Sequence, residues 1–348
     1  MMRARGNWLR RGWTSLLTVP ILAASACAGA GGEVSGEGGQ GSFKGETIHF
    51  VVSFSPGGGY DIIARAIAPY LEKELGATVV VENEDGAGGL LAANQVYAAE
   101  PDGLTIGFFA GQGIAGAALG EAEGAQFDLL EYSYVCRLAA DPRVMVAGPK
   151  SPYQSIEEVR SASSVKFASA GTGAADNIDA TVLYPVLGID GQIVTGYESS
   201  DATELAITSG DVDIGSGSVS SRLSGIQDGE FRAVLLIGQK RIKELPDVPA
   251  LLELEMSEEE MALAKAHTTL QAMGRMVWAP PGVPEDRLAE LERAFAEASK
   301  NPKFLKKMER ALQAIDFTSG AKAKVVAESV LDAPENYKAL LKKSYAGQ

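Results

Sequence analysis

Residues that do most metal and nucleophilic chemistry are scarce in this chain. Two histidines (His49 and His267) and two cysteines (Cys27 and Cys136) occur in 348 residues. Neither pair is spaced like the ligands of a transition-metal site. His49 falls inside a strand-like run and His267 inside a helical pattern, so both read as structural. That leaves serine hydrolysis without a base, because the nucleophile needs a histidine beside it. Positive charge is also short, with 31 Lys and Arg against 45 Asp and Glu, a formal charge of −14. Proteins that hold nucleic acid neutralise phosphates with Lys and Arg, so this balance excludes that class and argues against acidic membrane surfaces. No GK[ST] motif is present, which removes a phosphate-binding ATPase loop. The carboxylates are plentiful but form no spaced acid/base pair, and neither a cofactor nor a metal is expected.

The N-terminus is built differently from the rest. MMRARGNWLRR supplies four arginines and no acid, and TSLLTVPILAASA follows as a short apolar stretch ending in small residues. This is the layout of a signal peptide over residues 1–26, too short and alanine-rich for a comfortable membrane span. Cys27 stands where a bacterial lipoprotein carries its acylated cysteine. Residues 27–45 read as a Gly/Ser-rich tether that cannot build a core. These features predict an exported protein, periplasmic or at the cell surface, anchored by lipid on Cys27. Cys136 is then left without a partner and reads as a small buried hydrophobe.

From residue 47 onward, strand-like and helix-like stretches alternate. TIHFVVSF, ATVVVEN and LTIGFF read as strands, with helical patterns in DIIARAIAPYLEKEL and GGLLAANQVYAAE between them. Pro69 inside the first helix predicts a kink, and Gly76 sits where a helix-ending glycine belongs. A second series begins near residue 151, with VKFAS, IVTGY, VDIGSGS and FRAVLLIG as strands and helices between them. Ser257 and Glu260 form a capping box before a helical run, and amphipathic helices complete the chain after RMVWAPPGVP. The βαβαβ order implies an α/β fold with parallel sheets covered by helices.

Small-residue loops follow strands in both series: FSPGGGYD, FAGQGIAG, SAGTGAAD and GSGS. Ligands of open parallel sheets bind beyond the carboxyl ends of the strands. Glycines there let a ligand approach the backbone, and the next helix presents unpaired N–H groups with partial positive charge. Such loops can hold an anion without lysine or arginine, and otherwise serve only as tight turns. The candidate ligand-binding residues are Ser55, Pro56, Gly57, Gly58, Gly59 and Asp61 in the first loop, Ser169, Gly171, Thr172 and Gly173 in the third, and Ser216 in the fourth. Asp61 would cap the loop by accepting its N–H groups and would not touch the anion. Removing nearby Lys or Arg should matter little on this reading, whereas Gly58→Val should abolish binding. GGGYDI is a poor dinucleotide fingerprint, because Ile62 occupies the place of the third glycine.

FVVSFSPGGGYDIIARAIAPYLEKELGATVVVENEDGAGG, followed by AAEPDGLTIGF, resembles the opening of the Bug family, the extracytoplasmic solute receptors of tripartite tricarboxylate transporters. SAGTGAAD, GYESSDATELAITSGDVDIGSGS, LPDVPALLE and WAPPGVPEDRLAELERAF match that family in order, so the resemblance runs from about residue 45 to the C-terminus. It implies a two-lobed, periplasmic-binding-protein-like fold that closes on a small organic carboxylate in the interlobe cleft. It also implies that loops 55–61 and 169–173 pinch that carboxylate through backbone N–H groups and ordered water, that the partners are membrane permease subunits, and that the protein is not an enzyme. The ligand class stays open among tri- or dicarboxylates, aromatic acids and amino acids. Asn177-Ile178 stands where many members carry histidine, and the helical segment around 257–273 is longer than usual. The expected lobes are residues 46–145 plus 275–348, and 146–274, with chain crossings near 144–149 and 275–280. An exported α/β enzyme or a ligand-sensing module acting on a small organic acid is the alternative function.

Overall fold

The computed structural model describes residues 43–140, 142–171, 173–197 and 200–346. The leader, Cys27, most of the tether, and Thr172 lie outside the described residues. The first apolar run forms β1 (Thr47–Val52), and its burial changes along its length from alternating to complete. The cause is position, because β1 is central and pairs in parallel with both β2 (Thr78–Asn83) and β3 (Thr105–Ala110). Helix α1 (Gly59–Leu75) connects β1 to β2 and runs unbroken through Pro69. It buries Ile63, Ile67 and Leu71 against the sheet, each worth ~1.5–3 kcal/mol when taken from water. Gly76 ends it in the left-handed conformation, its N–H donating to Glu72 O at 2.9 Å. Helix α2 (Leu90–Tyr97) leads to β3, and α3 (Gly111–Leu119) follows β3 directly.

Two strands that the alternating pattern does not announce carry the chain between sheets. β4 (Ser133–Ala139) belongs to the first sheet and β5 (Arg143–Ala147) to the second. β4 ends at Ala139 in the first sheet, and Arg143 of β5 already pairs with Ser218 and Ile237 of the second. That sheet continues with α4 (Ile156–Ser161), β6 (Val165–Ala168), α5 (Ala175–Leu187), β7 (Gly191–Val194), α6 (Ser200–Ser209), β8 (Ile214–Ser218), α7 (Val219–Gln227) and β9 (Arg232–Ile237). Helix α8 (Glu258–Gln271) opens on the Ser257–Glu260 capping box, with Ser257 N–H donating to Glu260 Oε2 at 2.8 Å. β10 (Arg275–Ala279) then returns to the first sheet, followed by α9 (Glu285–Lys300), α10 (Pro302–Arg310), β11 (Thr318–Ser319), α11 (Gly320–Leu331) and α12 (Glu335–Tyr345).

The first sheet has the order β11-β4-β10-β3-β1-β2 and the second β7-β6-β8-β5-β9. Without β11 the two orders are equivalent. In each, the strand arriving from the other sheet is inserted antiparallel between its neighbours, β10 between β3 and β4, and β5 between β8 and β9. The result is a two-lobed α/β fold with mixed sheets, in which all the other long strands share one direction. The lobes are also tied together by helices. α8 packs on α5, α11 and α3, and α12 packs on α5, α3 and α8, so the last helix is not confined to the first lobe. A single buried cluster accordingly runs from Phe109 and Trp278 in the first sheet to Met145 and Phe167 in the second. Among the described residues no helix is long and apolar enough to cross a membrane.

Candidate functional site

All four small-residue stretches border one cavity of about 400 Å³ between the sheets, GSGS as the end of β8. Its wall includes Gly58 and Gly59 at the start of α1, Gln112 and Gly113 at the start of α3, Ala174 and Ala175 at the start of α5, and Ser220 and Ser221 in the first turn of α7. FAGQGIAG, read as a loop from its glycines, is mostly the first two turns of α3. The first N–H groups of a helix have no partner inside it and carry partial positive charge. Four such ends therefore bring donors and positive potential to one space.

The two glycine loops are built alike. Gly57 N–H donates to Asp61 Oδ2 at 3.0 Å, and Ala170 N–H donates to Asp176 Oδ2 at 3.0 Å. Each carboxylate lies in the first turn of the helix that follows and folds back onto its loop. Their electrostatics differ. Burial works to raise the Asp61 carboxyl, but Gly57 N–H, Asn83 and Arg65 outweigh it and hold the group below its ordinary value. Burial dominates at Asp176 and pushes its carboxyl up, with Ala170 N–H and the charge of Arg143 only partly opposing.

The candidate residues divide by place. Gly58, Gly59, Gly173 and Ser216 line the cavity, while Ser55, Pro56 and Gly57 are exposed and stand outside its lining. The Ser55 hydroxyl donates to Asp85. The positive φ belongs to Gly57 (88°), whereas Gly58 has φ −74°, so the backbone half of the argument for Gly58 moves one residue back. Ser169 is fully buried, and its Oγ accepts from Gly171 N–H at 3.2 Å. Gly171 lines a smaller adjoining cavity of about 180 Å³. Gly173 N–H donates to Ser344 O of α12 at 3.2 Å, so this donor is engaged by the chain itself. Asn177 is tied to the same residue, accepting from Ser344 Oγ at 2.8 Å.

Arginines supply what the glycine pattern did not announce. Arg143 at the start of β5, Arg222 in α7 and Arg275 at the start of β10 all line the cavity and are nearly fully buried. The glycine-loop reading did not anticipate arginines in this lining. Arg143 Nε donates to Asp179 Oδ2 at 2.6 Å, and its Nη2 to Ser216 Oγ at 3.1 Å. Asp179 also accepts from Ser216 Oγ at 2.5 Å and Gln271 Nε2 at 3.0 Å, and meets His267 Nε2 at 3.1 Å. His267 Nδ1 lies 3.1 Å from Tyr337 Oη, which extends this buried network to α12. Burial acts to raise the Asp179 carboxyl, but Arg143, His267 and Ser216 more than offset it and leave it below its ordinary value.

Arg222 pairs with Glu204 and Arg275 reaches Gln313, while Arg275 Nη2 also donates to Ser220 Oγ at 3.2 Å. Burial, followed by the charge of Arg143, pushes Arg222 down to about 10. Its Nε is buried without a hydrogen-bond partner among the described residues, as is Gln112 Oε1. The Arg275 guanidinium lies 4.9 Å from the centre of the Tyr60 ring, which packs on Phe54 at 4.4 Å. The lining thus joins three guanidinium groups, two of them paired with carboxylates, to the aromatic pair Phe54 and Tyr60. The sequence clue to these arginines was position, since Arg143 and Arg275 open strands next to the crossings, yet nothing local marks an arginine as facing a cavity. Among the described residues no group of three His, Cys, Asp or Glu could hold a metal ion.

Comparison with known proteins gives a consistent set. A UPF0065 protein of Bordetella pertussis is 26% identical over 269 residues, 76% of this chain and 80% of the relative. A TctC solute-binding protein from Polaromonas superposes with a TM-score of 0.68 at 20% identity, covering 86% of this chain and 98% of that one. MatC from Rhodopseudomonas palustris, solved with bound malate, superposes with a TM-score of 0.65 at 24% identity, covering 85% and 99%. The family model described as the tripartite tricarboxylate transporter family receptor, TctC, matches residues 63–342. The chain belongs to this family of solute-binding receptors.

Proposed function

We propose that the protein is an extracytoplasmic receptor that captures a small organic carboxylate in the cleft and delivers it to the permease of a tripartite tricarboxylate-type transporter. The observation that carries this reading is the convergence of Arg143, Arg222 and Arg275 with four helix N-termini on one cavity, in a chain of net charge −14. A protein with this overall charge has no bulk attraction for anions, and Arg143 and Arg222 are held by Asp179 and Glu204, so the helix ends and the three guanidinium groups supply oriented donors that need a local purpose. The receptor bound to malate, with the same fold, supports a carboxylate as the occupant. Helix ends contribute ~0.3–1 kcal/mol each to holding an anion, and charge-assisted hydrogen bonds ~1.5–3 kcal/mol each.

On this reading Gly58, Gly59, Gly173, Thr172 and Ser216 contact the carboxylate or border it. Ser55, Pro56, Gly57, Asp61, Ser169 and Gly171 hold the two loops in shape. The lobes follow the sheets: residues 46–139 with those after 275, and 143–274, with α8 and α12 spanning both. The protein binds and releases its ligand unchanged, and the arginine-rich leader and Cys27 support a location outside the cytoplasm on a lipid anchor.

Calorimetry with a panel of tricarboxylates, dicarboxylates, aromatic acids and amino acids tests the site. The expected result is 1:1 binding of at least one acid, recovered chemically intact and weakened at least tenfold by Arg275→Met. Absence of binding across the panel, or recovery of an altered acid, overturns the receptor reading. Palmitate labelling of cells expressing the wild type and Cys27→Ser tests the anchor, and equal labelling of both would exclude it.

A further inference from the structure

A larger cavity, of about 740 Å³, adjoins the cleft and shares Arg275, Ser220 and Gln313 with it. These three side chains are hydrogen-bonded to one another through Arg275 and form a common layer between the two spaces. The chemistry beyond that layer is different. Val219 and Leu223 of α7, Leu305 and Met308 of α10, and Leu312 and Ile315 after α10 supply an apolar wall drawn from both lobes. Away from that layer the charged lining is Lys243 and Lys306 with Glu244 and Glu309, two of each sign, so the positive excess among the described lining residues sits at Arg275 in the shared layer. Leu312 is 48% exposed and holds φ at +54°, a left-handed backbone that costs an ordinary residue ~1–2 kcal/mol. That backbone closes α10, with Leu312 N–H donating to Glu309 O at 3.1 Å and Gln313 N–H to Met308 O at 2.9 Å, and it turns the leucine toward this wall.

We propose that the two cavities form one binding site for an organic acid with an apolar body. Its carboxylate lies in the cleft, and its alkyl or aryl portion passes Arg275, Ser220 and Gln313 into the second cavity. This rests on the receptor reading above and narrows its ligand class. The layer can open at little cost, because Gln313 belongs to the stretch 311–317, which is neither helix nor strand. Arg275 keeps its stacking on Tyr60 when Gln313 moves, so the positive charge stays at the junction where the carboxylate ends and the apolar body begins.

Calorimetry of the whole protein with butanoate, hexanoate, octanoate and decanoate tests the proposal. Burying each methylene transfers it out of water, so Kd should fall roughly fourfold per CH2 until the second cavity is filled. Leu312→Asp suits the left-handed backbone and places a carboxylate in the wall. It should leave butanoate affinity unchanged and flatten the chain-length dependence, and Leu223→Asp should do the same from the opposite lobe. Circular dichroism checks that both variants fold. Equal affinity along the series, or binding of short polyacids but none of the monoacids, overturns the apolar-body inference while the receptor reading stands. If no acid of any class binds, both fall.

Discussion

At the residue scale, Gly57 and Gly58 separate backbone from contact. Gly57 needs its positive φ and lies outside the cavity lining, whereas Gly58 has an ordinary φ and lines the cavity. A Cβ at Gly58 would meet nothing closer than Ser55 O at 3.7 Å, so a larger residue is accommodated by the fold and intrudes on the ligand. Gly58→Val is therefore expected to lose ligand affinity by more than tenfold with an unchanged melting curve. Gly57→Ala is expected to cost ~1–2 kcal/mol of stability through its left-handed backbone and to bind more weakly only as the loop loosens. Thermal melts and calorimetry on the pair distinguish the two roles, and identical behaviour of both variants would refute the division.

Elements are held in place by two carboxylates that titrate in the same direction. Asp61 fastens the loop before α1, and Asp179 fastens β5, β8 and α8 to α5. Both have carboxyls held below the ordinary aspartate value of 3.8. The unfolded chain takes up these protons near that value while the folded chain still resists them, so stability is fully present above it and is lost as pH falls through the folded pKa values. These two groups should make stability drop below about pH 4, while Asp176, whose carboxyl is pushed up by burial, works in the opposite direction above that. Asp61→Asn removes one contribution, and its acid-side drop should be shallower than that of the wild type. Arg143→Met leaves the fully buried Asp179 without its guanidinium partner. Breaking a buried pair this way costs ~3–5 kcal/mol, and denaturant unfolding of the variant should show a loss of that size. A loss below 1 kcal/mol would mean that His267, Ser216 and Gln271 hold Asp179 alone.

For the whole molecule, the far field and the cleft oppose each other. A chain of net charge −14 repels an anionic ligand at long range, and the arginines act only inside the cleft. At ~0.01 M salt the Debye length is about 30 Å and the repulsion reaches well beyond the surface, whereas at ~0.1 M it shrinks to about 10 Å. Association of a dicarboxylate should therefore accelerate as salt rises over this range, the reverse of steered binding between opposite charges. Stopped-flow mixing measures this directly, and an association rate that falls with salt would show that the cleft's field dominates outside the protein. Ligand at ~100 times its Kd should also raise stability by ~2.7 kcal/mol.

Local pattern determined a good deal. The strands β1, β2 and β3, the capped ends of α1 and α8, and the glycine loops before α1 and α5 were legible because each depends on residues adjacent in the chain, whereas FAGQGIAG became the start of α3 and GSGS the end of β8. TIHFVV has the burial rhythm of a central strand, Gly76 permits the left-handed cap, and Ser257 and Glu260 are three apart. The family motifs, spread over most of the chain, added the two-lobed architecture. Tertiary structure decided the rest. SYVCRLA and RVMVA gave little periodic signal because both strands are largely buried on both faces between neighbours, so pairing and not local pattern sets where the chain changes sheets. The arginines of the cleft come from β5, α7 and β10, and only the insertion of β5 and β10 as guest strands brings them together. His267 is fully buried within α8, and its partners Asp179 and Tyr337 are 88 and 70 residues away. Helix ends and turns are set by neighbours in sequence, whereas a site's charge is set by which distant side chains the packing leaves facing the same space.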